Sequence, residues 1–207
     1  MYKLYYAPGS ASMTPHAVLI ETGAPHELVL VDTAKGEQRD PAYLKLNPHA
    51  RVPTLVAGDL VMYEAAAITL HLCERHPEAG LAPGPGERDR AHFLQWQIYL
   101  TNTVQEEILH HFYPDHYVAA AAAQTALKEG VAPRLARMWQ HLDGVLADGP
   151  YLLGQRFSAV DYYLFMLLRW SRNMDRPGAT FGNLGRLADL VRQRPAMQEV
   201  FRKEGLA

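Results

Sequence analysis

The sequence predicts an α/β layer followed by an all-helical segment, and three observations carry that reading. Short β-type runs alternate with helical ones over residues 1–78, the pattern of a sheet layered with helices. The stretch PEAGLAPGPG at 77–86 then brings three prolines and three glycines together, which no helix or strand tolerates. Beyond it, Leu127, Val131, Leu135, Met138, Leu142 and Val145 recur at spacings of three and four, the apolar stripe of a long amphipathic helix. The expected division is an α/β layer at 1–78, a linker at 79–87 and an all-helical domain at 88–207.

Taken in order, Tyr2–Tyr6 reads as a strand, Thr14–Thr22 as a helix and Glu27–Val31 as a second strand. In RVPTLVAGDLVMYEAAAITL, residues 51–70, Val52 is extended because proline follows it. Thr54–Ala57 and Leu60–Tyr63 flank Gly58-Asp59 as a β-hairpin. Glu64-Ala65-Ala66-Ala67-Ile68 has strong helix propensity. In the second half, Ala119–Ala123 reads as a solvent-tolerant helix start. Ser158 with Asp161 forms a capping box ahead of an apolar helix, Tyr162–Trp170; the pair is read as structural and not catalytic.

Composition narrows the function. Of 207 residues, 48% are hydrophobic and 20% charged, an ordinary globular balance. No apolar run approaches the roughly 20 residues of a membrane span, and the N-terminus lacks the pattern of a secretory signal. A single cysteine, Cys73, excludes an internal disulfide, fits a reducing compartment and reads as a packing thiol. Net charge is −2 with no basic block, so nucleic acid is not an expected partner. His110, His111 and His116 lack ligand spacing, and no metal is expected. The composition points to a cytoplasmic protein acting on small molecules.

Residues 51–70 bring a bend, a hairpin and a helix N-terminus together. The unpaired N–H groups of a helix N-terminus suit a carboxylate, and Glu64 beside them suits an ammonium group. The pair reads as a receptor for a free amino-acid end. At this point the chain resembles the glutathione transferase family, over nearly its whole length. Lys3-Leu4-Tyr5-Tyr6-Ala7-Pro8-Gly9-Ser10, Pro15-His16, Glu21-Thr22-Gly23, Asn47-Pro48, Val52-Pro53 and Glu64-Ala65 stand in the order and spacing of bacterial, beta-like members. The resemblance implies a thioredoxin-like domain with a mixed four-stranded sheet, then a helical bundle carrying the second-substrate pocket. It also implies a homodimer, glutathione as co-substrate and a small, largely apolar electrophile as its partner in a detoxification-type reaction.

That chemistry needs a thiolate. A free thiol of pKa about 8.5 is only about 3% ionised at pH 7, and lowering its pKa by about two units takes about 2.7 kcal/mol. One charge-assisted hydrogen bond supplies about 1.5–3 kcal/mol, so a single hydroxyl in the first loop suffices. The resemblance places Ser12 first, four residues before His16, with Ser10 and Tyr6 as rivals. It places Ala11 where the beta class carries its cysteine, which argues against thiol–disulfide exchange. It places Gln105 where the family has a helical-domain histidine, with His110 and Tyr113 as further pocket residues. Val52, ahead of a cis Pro53, would pair with the cysteinyl backbone of glutathione. Glu64 and Ala65 would hold its γ-glutamyl end, and Lys35 or Arg51 its glycine carboxylate. Two alternatives stand beside this reading: a glutathione-dependent peroxide or disulfide reductase, and a non-catalytic glutathione-binding scaffold.

Overall fold

The computed structural model describes residues 1–207. They divide into two compact units, Met1–Gly86 with Arg192–Ala207, and Glu87–Val191. The first holds a four-stranded sheet in the order β2-β1-β3-β4, with β1 Tyr2–Tyr6, β2 His26–Leu30, β3 Thr54–Ala57 and β4 Leu60–Tyr63. β1 and β2 run parallel, Tyr2 opposite His26 and Tyr6 opposite Leu30, and the crossover between them is α1, Met13–Glu21. β3 lies antiparallel to β1, with Leu4 opposite Leu55. Both leucines are fully buried and pin the register, because a slip of one residue would turn them to the other face. The hairpin predicted around Gly58-Asp59 pairs Ala57 with Leu60; Gly58 takes φ +61, a conformation that glycine adopts without strain. The alternation of strands and helices predicts the α/β layer, and the mixed four-stranded sheet within it is the thioredoxin-like one that the resemblance implies.

Two helices pack against α1: α3, Ala65–Arg75, and the last helix of the chain, α9, Pro195–Glu204. α1 is buried at Met13, Ala17, Val18 and Leu19, too apolar for one neighbour to cover. α9 answers with Ala196, Met197, Val200 and Phe201, all buried on one helical stripe. Arg194 pairs with Glu21, and the Arg192 guanidinium lies 4.9 Å from the centroid of the Phe201 ring. The compact first unit thus takes in residues from the far end of the chain, which linear reading of 88–207 as one helical domain does not separate. Between Pro77 and Gly86 the only regular element is the 3₁₀ turn Pro77–Ala79.

The second unit begins with α4, Arg90–Tyr99, which runs through a π-helical turn, Leu100–Gln105, into α5, Glu106–Phe112. α6, Ala121–Val145, carries the predicted stripe; Val131, Leu135 and Leu142 are buried with Trp139, Leu127, Met138 and Val145 are half-buried, and Ala121 and Ala122 at its start are exposed. α7, Ala159–Trp170, is buried from Ala159 to Leu168, as a core helix must be. The Ser158 N–H donates to Asp161 Oδ2 at 2.8 Å. Asp161 also accepts the Leu152 N–H at 2.9 Å, so the capping carboxylate ties the preceding turn to the helix. α8 is Gly182–Arg192. No helix is long and apolar enough to cross a membrane.

Candidate functional site

The loop from Ala7 to Ser12 joins β1 to α1, and its shape follows from short-range bonds. Gly9 takes φ +68. The Ser10 N–H donates to the Ala7 carbonyl at 3.2 Å, and the Met13 N–H to the Ser10 carbonyl at 3.1 Å. Ser12 is fully buried, and its hydroxyl donates to the Ala7 carbonyl at 3.1 Å. It makes no cap bond to α1. Ser10 is half-buried; its oxygen accepts the Ser12 N–H at 3.3 Å and lies 2.8 Å from Ser12 Oγ. With the Ser12 proton directed to Ala7, Ser10 is the donor across that contact. Ala11 is half-buried beside them. Burial pushes the Tyr6 phenol above its ordinary pKa, and the Glu204 carboxylate adds to the shift, which makes Tyr6 a weaker donor to an anion.

The second part of the site is the segment Arg51–Ala65. The Val52–Pro53 bond is cis, as the resemblance implies. The Arg51 carbonyl accepts the Tyr43 hydroxyl at 2.6 Å and the Asn47 amide at 2.8 Å, and both side chains are buried. Tyr43 Oη also lies 2.9 Å from Thr54 Oγ1. These bonds clamp the chain just before Val52, whose own N–H and C=O have no partner within the protein. Tyr43, on the short helix α2, Pro41–Leu44, is a residue the sequence reading missed; the one signal was an aromatic residue in the segment PAYLKL at 41–46, shortly before Arg51. Glu64 adopts φ 72, ψ 108, strained for a residue with a side chain, at about 1–3 kcal/mol. Its carboxylate is exposed, and no side chain caps the α3 N-terminus that Ala65 opens. The first N–H groups of α3 therefore stand beside a free carboxylate.

The two candidate cations separate. Lys35 pairs with Asp32 at 2.8 Å, which raises the lysine pKa and lowers that of the aspartate. Arg51 is exposed and makes no such pair.

In the helical unit, Gln105 ends the π-helical turn, and its Oε1 accepts the Tyr163 hydroxyl at 2.6 Å. Tyr163 is fully buried. The bond fixes the carboxamide with its NH₂ as the remaining donor. His110 packs its ring 4.3 Å from that of Tyr117, with Glu106 at 3.8 Å and Glu107 at 3.7 Å, and its Nδ1 is buried without a hydrogen-bond partner. Tyr113 stacks on His116 at 5.2 Å and stays 49% exposed, with Phe112 and Tyr117 also exposed. Phe112 and Tyr117 were missed in the sequence reading, although the run HHFYPDHY at 110–117 is dense in aromatic residues. No group of three or more histidine, cysteine, aspartate or glutamate side chains is placed to hold a metal.

A thioredoxin-like sheet with an uncapped helix beside a cis-proline turn, followed in the chain by a helical unit, defines a class of thiol-handling proteins. Residues 4–80 match the family model described as "Glutathione S-transferase, N-terminal domain", and residues 119–203 the one described as "Glutathione S-transferase, C-terminal domain". The chain is 28% identical over 206 residues to glutathione S-transferase GstA of Escherichia coli O157:H7, covering 99% of each. A Sulfitobacter glutathione transferase homologue with bound glutathione superposes with TM-score 0.91 at 26% identity, covering 100% of this chain and 99% of that one. A sphingomonad glutathione S-transferase complexed with glutathione gives TM-score 0.86 at 32% identity, covering 99% and 100%. The chain belongs to the glutathione S-transferase family.

Proposed function

We propose that the protein binds glutathione on the Arg51–Ala65 segment and transfers it, as thiolate, to small apolar electrophiles. The observation that carries this reading is the unpaired Val52 backbone ahead of Pro53, beside the strained Glu64 and the uncapped start of α3. Extended backbone without a partner in the protein can pair with a peptide in β fashion, and backbone held under strain persists where a ligand uses it. Val52 pairs in β fashion with the cysteinyl unit, Glu64 takes the γ-glutamyl ammonium, and the Ala65 N–H takes its carboxylate. Arg51 takes the glycine carboxylate in preference to Lys35, which Asp32 already holds. The two relatives solved with glutathione support this assignment.

Sulfur activation falls to Ser10, with Ser12 behind it. Ser12 is too deeply buried to reach a ligand, whereas Ser10 stands half-exposed with its oxygen already accepting the Ser12 N–H. When a thiolate arrives, the Ser10 proton turns to sulfur and the Ser12 proton turns from Ala7 to Ser10 Oγ. Two hydroxyls in series polarise one another and supply the about 1.5–3 kcal/mol of a charged hydrogen bond. The thiol gives its proton to water as that bond forms on the protein. Sulfur then forms a bond to the electrophilic carbon, and the leaving group departs with its electron pair. The exposed aromatic run Phe112, Tyr113 and Tyr117, with the Gln105 NH₂, supports an apolar acceptor that carries a hydrogen-bond acceptor. The exposed Leu60, Val61 and Tyr63 on β4 support the homodimer reading.

The test is ultraviolet thiolate absorbance of bound glutathione against pH. The wild type is expected to lower the thiol pKa by about one unit or more, and Ser10→Ala to restore most of the shift. Ser12→Ala should restore less. Tight binding with an unshifted thiol would instead favour a glutathione-binding scaffold.

A further inference from the structure

Glu204 is the last residue of α9, and its side chain is fully buried, as is that of His16 on α1. Its Oε1 lies 2.7 Å from His16 Nδ1. Its Oε2 accepts the Gly9 N–H at 2.8 Å. One carboxylate therefore holds the apex of the first loop and the helix into which that loop runs, across 195 residues of sequence.

A carboxylate taken out of water must have its oxygens satisfied, and these two donors do it. Conversely, the buried His16 imidazole N–H would be stranded without the carboxylate, and the half-buried Gly9 N–H would lose its bond to it. The loop is short. Gly9 precedes Ser10 directly, and its φ of +68 sets the direction in which the chain presents the Ser10 hydroxyl. The other loop bonds, from Ser10 to Ala7 and from Met13 to Ser10, are local and join the loop only to itself and to the first residue of α1. Glu204 ties its apex to α9, a helix 195 residues away in sequence.

We infer that Glu204 is a positioning residue for the thiol-activating loop, acting through the Gly9 amide and His16 to fix where Ser10 stands. The inference rests on the proposed role of Ser10. The glutathione receptor at Val52, Glu64 and Ala65 lies on other elements, so positioning and binding separate. A displacement of about 1 Å at a reacting group is enough to cost about 10²-fold in rate. The Glu204 carboxylate thus governs the rate and not the affinity, since it touches the loop and none of the receptor residues.

The experiment compares the full-length wild type, Glu204→Gln, Glu204→Ala, Ser10→Ala and the Glu204→Gln/Ser10→Ala double variant. Glu204→Gln keeps the side-chain volume and one acceptor, so it stays readable if Glu204→Ala does not fold; thermal unfolding reports the fold of each. Glutathione affinity, kcat with a chlorodinitrobenzene, the pKa of the bound thiol and hydrogen exchange of the Gly9–Met13 amides are measured. Glu204→Gln is expected to leave glutathione Kd within about threefold while kcat falls by about 10²-fold. The bound-thiol pKa should rise and the loop amides should exchange faster. Ser10→Ala added to Glu204→Gln should then cost little more, because both changes remove the same donor. Unchanged kcat and thiol pKa, or fully additive losses, overturn the inference. If Ser10→Ala alone leaves the thiol pKa unmoved, the serine reading fails, and the exchange data decide: faster loop exchange in Glu204→Gln sustains the positioning role, and unchanged exchange overturns it.

Discussion

His26 Nδ1 lies 2.8 Å from the Ala24 carbonyl, so its proton sits on that nitrogen, and Nε2 is buried without a partner. Protonation would add a buried N–H with nothing to accept it. Burial, the largest cause, and the Lys203 charge hold the imidazole pKa below its ordinary value, against the opposing bond to Ala24. With the folded pKa below the unfolded value of about 6.5, the unfolded chain binds more protons across that window, so stability rises with pH there. The contribution is present above about 6.5 and is lost as the pH falls through the folded value. His111 shifts the same way, through burial and then Lys128. Denaturant midpoints of the wild type should drop between about pH 7.5 and about pH 5.5, and those of His26→Asn should drop less. Identical slopes for the two proteins would assign the acid sensitivity elsewhere. At this scale the sequence was legible where one residue type determines local geometry. Val52 ahead of proline, Gly58 in the hairpin and Glu64 at a helix start are such cases. The choice between Ser10 and Ser12 was not legible, because spacing from His16 says nothing about which hydroxyl lies under the backbone.

Among the elements, α8 begins without a capping residue of its own. Asp143, near the end of α6, supplies the cap: its Oδ1 accepts the Asn183 N–H at 2.8 Å and the Leu184 N–H at 3.0 Å. The carboxylate also meets the partial positive charge of the helix N-terminus. Replacing a cap with alanine costs about 0.5–2 kcal/mol, and the second amide places Asp143→Ala at the upper end, at about 2 kcal/mol. Chemical denaturation would read this loss directly; a change under about 0.5 kcal/mol would mean that water replaces the carboxylate freely. Such a cap lies 40 residues from its helix, beyond any local motif, which is why α8 left no start signal in the sequence. The local box at Ser158 and Asp161 did leave one, because both of its members fall within one turn. The α6 stripe was likewise legible from its period, with Pro133 tolerated inside the helix on an exposed face.

At the scale of the whole chain, the first unit is completed by α9, which the chain reaches only after the helical unit. Periodicity could identify α9 as amphipathic but not the surface it covers, since that depends on α1 having two apolar faces. Met197, Val200 and Phe201 are buried, and each contributes about 1.5–3 kcal/mol on burial. A domain has only about 5–15 kcal/mol in total, so losing this helix removes a large share of what holds the first unit together. A chain ending at Gln193 should therefore leave α1 uncovered and lose amide protection across residues 1–86. The helical unit, with its core around Trp139 and Tyr162 intact, should retain protection. Hydrogen exchange resolved by peptide separates these outcomes, and glutathione affinity measured on the same sample reports the receptor. Retained protection in β1 and α1 would mean that the sheet, with α1 and α3, is sufficient alone. Loss there, with glutathione binding abolished, would mean that the last ten helical residues, Pro195–Glu204, complete the domain that the first eighty begin.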